Sequence, residues 1–415
     1  MVWLTNGAVT GPLGNLMSET LFTNARIFDG SGRPSFPGEV LVNGDRISAV
    51  MPAAGGIDRT GRKVVDGRGC TLMPGLIEPH AHLTFTSSVE RIILPRRMSA
   101  DELAQVAADN ARVMLDHGFT SVYSAGGIAG PIELALKRRI DAGAIPGPRM
   151  VASSAEFDRE ALPSGAVAIA DHIRLVAKDG YGSLKFALSG FDGFVPGSSQ
   201  VATYSQEEVT AIGETAKELG VSLACHAQAG GSVTRAARGG FRVLYHCTYA
   251  DEEGLDAMEA RKDDIFFAPA VGLPYARVSQ SLEPEKSHDE AERYRAFSQE
   301  HLDRTLGVVS QARSRGIRIL PGGDYGFAHN PIGRNAVDIQ LFVDLFGYSP
   351  LEALSAATSL GGSLMDLPVG EVKVGRLADL LLVKGDPTED VTLLQDKANL
   401  RVVMKDGRLH NHQTA

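Results

Sequence analysis

The sequence predicts an α/β protein, a (β/α)8 TIM barrel carrying a small β-sandwich domain formed by both chain ends. Three observations predict it. About residues 72 to 360 alternate strand-like and helix-like runs eight times, the length and pattern of such a barrel. The two ends of the chain are rich in short β-like runs broken by turns. Side chains able to hold a metal also fall repeatedly at the C-terminal ends of the middle strands, where barrels of this kind keep their chemistry.

In chain order, the N-terminal β runs are LFTNARIF, EVLVNGDRISAV and KVVDGRG. Asn43-Gly44 between two apolar runs signals a hairpin. The β character returns in ADLLLV at 378–383 and LRVVM at 400–404, with a last turn at Asp406-Gly407. The expected division is therefore 1–71 and 361–415 for the sandwich and 72–360 for the barrel. Its strands are expected near 72–78, 119–123, 149–152, 183–187, 221–226, 242–246, 264–268 and 317–321. Ser99 with Glu102, Ser205 with Glu208, and Ser349 with Glu352 have the spacing of capping boxes, and Pro350 suits a first helical turn. Gly118 and Gly220 sit where a left-handed residue ends a helix. Alternation alone leaves a doubly wound sheet open as an alternative. Residues 269–297, broken by proline and then charged, read as a long loop: a lid or binding loop over the site, or else an insertion.

The 415 residues are 43% hydrophobic and 22% charged, an ordinary globular profile. A formal charge of −9 disfavours nucleic acid or an anionic membrane as partner. A small-molecule substrate and a homo-oligomeric assembly are the expected partners. No run of uncharged apolar residues is long enough to span a bilayer. Met1 to Glu19 lacks the pattern of a signal peptide and reads as a loose leader. Three scattered cysteines, Cys70, Cys225 and Cys247, suit a reducing compartment, by default the cytoplasm.

His80 and His82 close the first barrel strand, and residues i and i+2 of a strand share a face. Pro79 favours a strand-end position over mid-strand. His226 and His246 end the fifth and sixth strands, and Asp324 follows the eighth. One histidine alone is more often a core or surface residue; the shared rim position is what makes these candidates for metal ligands. Lys185 ends the fourth strand. An ammonium has no lone pair, so this lysine becomes a ligand only without its proton. Its adduct with carbon dioxide, a carbamate, offers two oxygens able to bridge two metals.

The stretches MPGLIEPHAH, SLKFALSG, ACHAQ, LYHCTYADEEGL, GGDYGFAHNPIGRN, SPLEALSAATS and GEVKVGRLADLLLVKGDP resemble the amidohydrolase superfamily, and within it the imidazolonepropionase-like and Xaa-Pro or Xaa-Arg dipeptidase group. The resemblance covers nearly the whole chain. It implies two divalent metal ions, zinc by expectation. His80, His82 and Asp324 would hold one, His226 and His246 the other, and a carbamate on Lys185 would bridge them. Asp324 would be the catalytic proton carrier, and the reaction would be hydrolysis of an amide-like C–N bond. The chain departs from the group in three places. No histidine occurs in 149–171, and His172 reads as a surface residue on the next helix. Tyr245 stands where many relatives have glutamate, and Gly323 where threonine or serine is frequent. Peptides therefore share the substrate expectation with N-acyl amino acids, carbamates, ureas and lactones. Tyr249 and His329 are the candidate substrate contacts. Cys225 and Cys247 read as packing residues, and His410 and His412 as exposed tail. The alternatives are a mononuclear deaminase or chlorohydrolase of the same superfamily and a non-catalytic scaffold.

Overall fold

The computed structural model describes residues 19–53, 55–88, 97–191, 197–279 and 288–412; most of the expected leader lies outside them. Five strands open the chain: β1 Thr20–Ile27, β2 Phe36–Asn43, β3 Arg46–Pro52, β4 Lys63–Asp66 and β5 Cys70–Pro74. Nine follow in the middle: β6 Leu76–Ala81, β7 Phe119–Ser124, β8 Arg149–Val151, β9 Ser153–Phe157, β10 Ser183–Ala187, β11 Ser222–Ala229, β12 Val243–Tyr249, β13 Phe266–Ala268 and β14 Arg318–Ile319. Three end it: β15 Leu380–Lys384, β16 Leu400–Lys405 and β17 Arg408–His412.

Both chain ends make one hydrogen-bonded sheet, in the order β17-β16-β15-β5-β1-β2-β3, with β4 also beside β1. The expected sandwich is thus one sheet that branches at β1 around its own core of Phe22, Ile27, Val40, Leu380, Leu382 and Val402. Its first half runs to Pro74, three residues past the expected boundary. The hairpin turns over Gly44-Asp45, one residue later than the sequence signal, because Asn43 still pairs with Arg46. Asp406 and Gly407 both have positive φ, at 52° and 68°, as a two-residue hairpin turn demands.

The middle strands are all parallel, in two ladders, β6-β7-β8 and β9 to β14. The third expected strand is split at Ala152, giving nine segments where eight were expected. One parallel bridge spans each seam between the ladders, Gly127 with Ala155 and Ser88 with Phe327. A Cβ on Gly322, just past β14, would touch Pro79 and His80 of β6. The ends of the strand series therefore lie side by side at the rim.

The helices are α1 Ala100–Asp116, α2 Gly130–Asp141, α3 Ala166–Ala177, α4 Gln206–Leu219, α5 Gly230–Arg238, α6 Glu252–Glu259, α7 Gly272–Ser279, α8 His288–Ser314, α9 Val337–Phe346, α10 Pro350–Ser355 and α11 Gly361–Met365. All three expected capping boxes form, at α1, α4 and α10. Gly118 and Gly220 take the left-handed conformation, with φ of 84° and 67°. Within the expected long loop 269–297, residues 272–279 and 288–297 are helical. Pro274 falls in the first turn of α7, where proline is tolerated, and the charged residues from His288 on belong to α8; residues 280–287 lie outside the described part. Among the described residues no helix is long and apolar enough to cross a membrane.

The terminal sheet docks through β15. Leu380 and Leu382 enter the sheet's own core, while Leu381 and Val383 join the core that surrounds the middle strands. Period-two alternation thus makes one strand serve two cores. Leu381→Ala is expected to lower unfolding free energy by about 2–5 kcal/mol, read from urea titration. A loss under about 0.5 kcal/mol, the range of ordinary surface changes, would show that this docking contributes little.

Candidate metal centre

The first group is built from two strand ends. His80 and His82 leave β6 on one side, their ring centroids 5.1 Å apart. Their Nε2 atoms lie 3.9 and 3.3 Å from Asp324 Oδ1. One donor atom from each residue falls within 4.8 Å of the others, close enough to hold one metal ion. His82 Nδ1 donates to the Gly126 carbonyl at 2.8 Å, which leaves Nε2 with its lone pair facing Asp324. The Phe85 and Tyr245 rings stack on His82 and His80 at 4.3 and 4.0 Å. Behind them Glu78 accepts from the His80 backbone N–H at 2.9 Å and from Asn335 at 2.6 Å. Burial pushes its carboxyl up to about 8.

His226 and His246 meet only because the chain departs from regular strand geometry. In the parallel register His226 stands opposite Tyr245, and His246 opposite Ala227. Alternation would send His226 and His246 to opposite faces. Instead His246 and Cys247 both have positive φ, 73° and 51°. For non-glycine residues that costs roughly 1–3 kcal/mol each. The turn brings the His246 ring to 4.4 Å from His226 and 5.4 Å from His80. His226 Nε2 faces the Gly190 carbonyl at 3.2 Å, leaving Nδ1 as the nitrogen for a ligand.

Burial holds His80 and His226 well below the ordinary histidine value and His246 at about 3. Neutral imidazoles keep the lone pair a metal needs. Burial alone would raise the Asp324 carboxyl; the neighbouring His80, His82 and His246 rings drive it down instead. Neutral nitrogens around an ionised carboxylate form a donor set that fits a divalent cation.

Lys185 is buried in the middle of β10, two residues short of the strand end expected for it. Its Nζ lies 4.1 Å above the Tyr245 ring and 3.5 Å from Glu156 Oε1. Burial raises the Glu156 carboxyl, and the lysine charge opposes that rise. His80, His82, Lys185, His226, His246 and Asp324 all line one cavity of about 150 Å³.

The loop bearing Asp324 is clamped from beneath. Asp338 accepts from Gly322 N–H and Tyr325 O–H, each at 2.9 Å, and burial pushes its carboxyl up to about 7. Asn330 Nδ2 donates to the Gly323 and Asp324 carbonyls at 2.8 and 3.2 Å. Asp324 itself is held at φ 60°. A Cβ at Gly323 would collide with the Asp338 carboxylate, which accounts for glycine where the resembled group has threonine or serine. Tyr245 earns its place similarly, its hydroxyl donating to the Pro79 carbonyl at 2.7 Å.

Of the two expected substrate contacts, neither Tyr249 nor His329 lines the cavity. Tyr249 stands one layer back, its hydroxyl 3.0 Å from Nε2 of His301, which does line it. His329 lies four residues beyond Tyr325, its carbonyl 3.5 Å from Arg334 Nη1. Cys225 and Cys247 are packed in the core as expected. His172 lies on α3, half-buried, its ring 5.6 Å from Phe157. His410 is no exposed tail: it sits in β17 with Nε2 2.6 Å from Asp116 at the end of α1. The His412 side chain lies outside the described residues. Sequence reading missed Glu156, Gln228, Arg277 and His301. Glu156 and Gln228 were within reach, the one a carboxylate just past the third expected strand and the other two residues beyond His226 on the same strand face; Arg277 and His301 reach the cavity only through packing.

Residues 71–410 match the amidohydrolase family over most of the chain. The chain belongs to the amidohydrolase family. The family member is 25% identical to ochratoxinase of Aspergillus niger over 253 residues, 60% of this chain and 50% of that enzyme, so the match spans half of the relative's length. It is 24% identical to imidazolonepropionase of Ectopseudomonas mendocina, covering 94% of this chain and 95% of that one. Its fold is similar to the crystal structure of a Xaa-Pro dipeptidase with bound methionine, with a TM-score of 0.80 and 24% identity over 95% of this amidohydrolase and 100% of that chain.

Two outcomes follow from the geometry. Gly323→Ala is expected to lower metal content at least about tenfold, the scale of a disturbed supporting shell; full occupancy by elemental analysis would show that Asp338 does not clamp the loop. The second concerns acid. An unfolded His246 takes up a proton below 6.5, whereas the folded one refuses it until about 3. Metal-free protein therefore loses stability on this account as pH falls through that window. Metal-free His246→Gln should lose less between pH 6.5 and 4 in urea titrations; equal losses would contradict the burial of a neutral imidazole.

Proposed function

We propose that the protein hydrolyses an amide-like C–N bond of a small molecule at a two-metal centre. The observation that carries this reading is the convergence of all six candidate ligands on one buried cavity, with His80, His226 and His246 kept neutral by burial and Asp324 ionised. His80, His82 and Asp324 would hold one divalent ion, and His226 with His246 the second. Lys185, as its carbamate, would bridge them. Zinc suits nitrogen and carboxylate donors, and manganese, cobalt or iron could take the same set. When bound, the metals supply an acidified water and a polarised carbonyl.

The chain supplies the rest. Asp324 Oδ1 is turned to the two histidines, which leaves Oδ2 to take a proton from the attacking water and return it to the leaving nitrogen. The Asp338 clamp fixes where that oxygen points. Phe85, Phe191 and Phe327 line the walls and limit the water that reaches the carbonyl. The names of the relatives, ochratoxinase, imidazolonepropionase and Xaa-Pro dipeptidase, agree with a C–N bond as the target.

A second reading is a mononuclear centre of deaminase type. It is favoured by one observation: the tight cluster of His80, His82 and Asp324 is complete without Lys185, which pairs with Glu156. A non-catalytic scaffold has no such support, since every candidate ligand is retained.

Chelation is expected to abolish amide hydrolysis and added zinc to restore it; full activity in metal-free protein would overturn the proposal. Asp324→Asn should cut kcat by at least about a hundredfold in steady-state assays, and a near-normal rate would remove Asp324 from proton transfer.

A further inference from the structure

His226 and Gln228 stand two residues apart on β11, so both side chains leave one face of the strand, and both line the cavity. Gln228 falls where the ladder between β11 and β12 loses register, between Ala227 and Ala229. Its backbone N–H donates to Ser189 Oγ at 2.9 Å, and the residue is only 9% exposed. Neither the ligand set nor the proton carrier makes use of its side chain.

The His226 ring decides which way the Gln228 amide points. With Gln228 Nε2 toward the ring, it lies 3.4 Å from His226 Nε2, and Oε1 has no partner among the described residues. His226 Nε2 also lies 3.2 Å from the Gly190 carbonyl, so it carries the hydrogen that this contact requires. Two N–H groups would then oppose each other. A carboxamide turned over keeps its shape and exchanges that conflict for a contact, with Oε1 accepting from His226 Nε2–H. The NH2 end then occupies the position that lacks a partner. A buried donor without an acceptor is unfavourable, and a bound substrate can bring the acceptor into the cavity. Asp324 lies beside His80 and His82, whereas Gln228 lies beside His226, whose ring is 4.4 Å from His246. A scissile amide with its nitrogen toward Asp324 turns its carbonyl oxygen toward the His226 side.

We propose that Gln228 is a catalytic residue whose side-chain NH2 donates to the carbonyl oxygen of the scissile bond as that oxygen gains negative charge. This rests on the hydrolytic reading above and adds a group to it. As the water oxygen bonds to the carbonyl carbon, the π pair moves onto the carbonyl oxygen and Asp324 takes the water's proton. On collapse the pair returns, the C–N bond breaks with its electrons going to nitrogen, and Asp324 gives the proton to that nitrogen. Gln228 keeps its own protons throughout. A fixed N–H aimed at the developing charge favours the transition state over the bound substrate, so its loss appears in kcat.

The test uses metal-replete full-length protein, 4-nitroacetanilide as substrate and two variants. Gln228→Glu keeps an acceptor for His226 and lacks the NH2, whereas Gln228→Met keeps the length and lacks both. Each should lower kcat by at least about a hundredfold, the scale of a lost oxyanion donor, with KM little changed and metal content by elemental analysis equal to wild type. A wild-type rate in Gln228→Glu beside a loss in Gln228→Met would reduce Gln228 to a support for His226 and overturn the proposal. So would a near-normal kcat in Gln228→Met, or metal lost in proportion to rate in both variants. Should wild type not cleave the anilide, the hydrolytic reading fails for that amide, and Gln228 is tested by calorimetric binding of methylphosphonate, a tetrahedral anion. Binding weakened at least about tenfold in Gln228→Met, the scale of a hydrogen bond to a charged group, then supports the donor role; equal affinities, or no binding by wild type, overturn it.

Discussion

Asp324 and the two histidines that face it hold together the ends of the strand series. The carboxylate lies 3.3 and 3.9 Å from His82 and His80, two residues from the opposite end of the sheet. Burial of an unpaired carboxylate would be costly, so the first and last strands must stay side by side for the group to remain ionised. Everything around it serves that constraint. Asp338 and Asn330 grip the loop at its backbone, and Glu78 and Gly126 fix the two histidines. The residue itself is held at positive φ, a local strain that the clamp sustains.

The second histidine pair shows the same trade. A regular β12 would turn His246 away from His226; two successive residues at positive φ turn it back. The departure falls inside β12, where the register against β11 shifts between Ala227 and Ala229 and the ladder resumes at Tyr249; an irregularity of this kind re-aims a side chain. The site thus draws rigidity from parallel strands and reach from the irregular residues that interrupt them.

Much of this could be read in the sequence, and the reason is locality. Three capping boxes and the left-handed glycines depend on residues within a turn of one another, and these appear where expected. The six candidate ligands could be picked out because each was expected at or just after a strand end, and the structure brings them to one cavity. What was not legible depends on tertiary packing. Arg277 lies on a helix where a loop was expected, since Pro274 looks like a breaker until the helix start is fixed, and His301 lies on α8, whose first turns fall in the same expected loop. Tyr249 was expected on a loop after its strand and instead ends β12, its hydroxyl on His301 of a distant helix. Gly323 was noticed as a departure, but its cause, the Asp338 carboxylate fifteen positions on, is visible only in three dimensions.

The central claim is that six side chains form a two-metal centre bridged through Lys185. The most direct test is metal content per chain by elemental analysis, together with intact mass under conditions that preserve a carbamate. The account predicts two metals per chain and an adduct of about 44 daltons on Lys185. One metal per chain with unmodified Lys185 would contradict it.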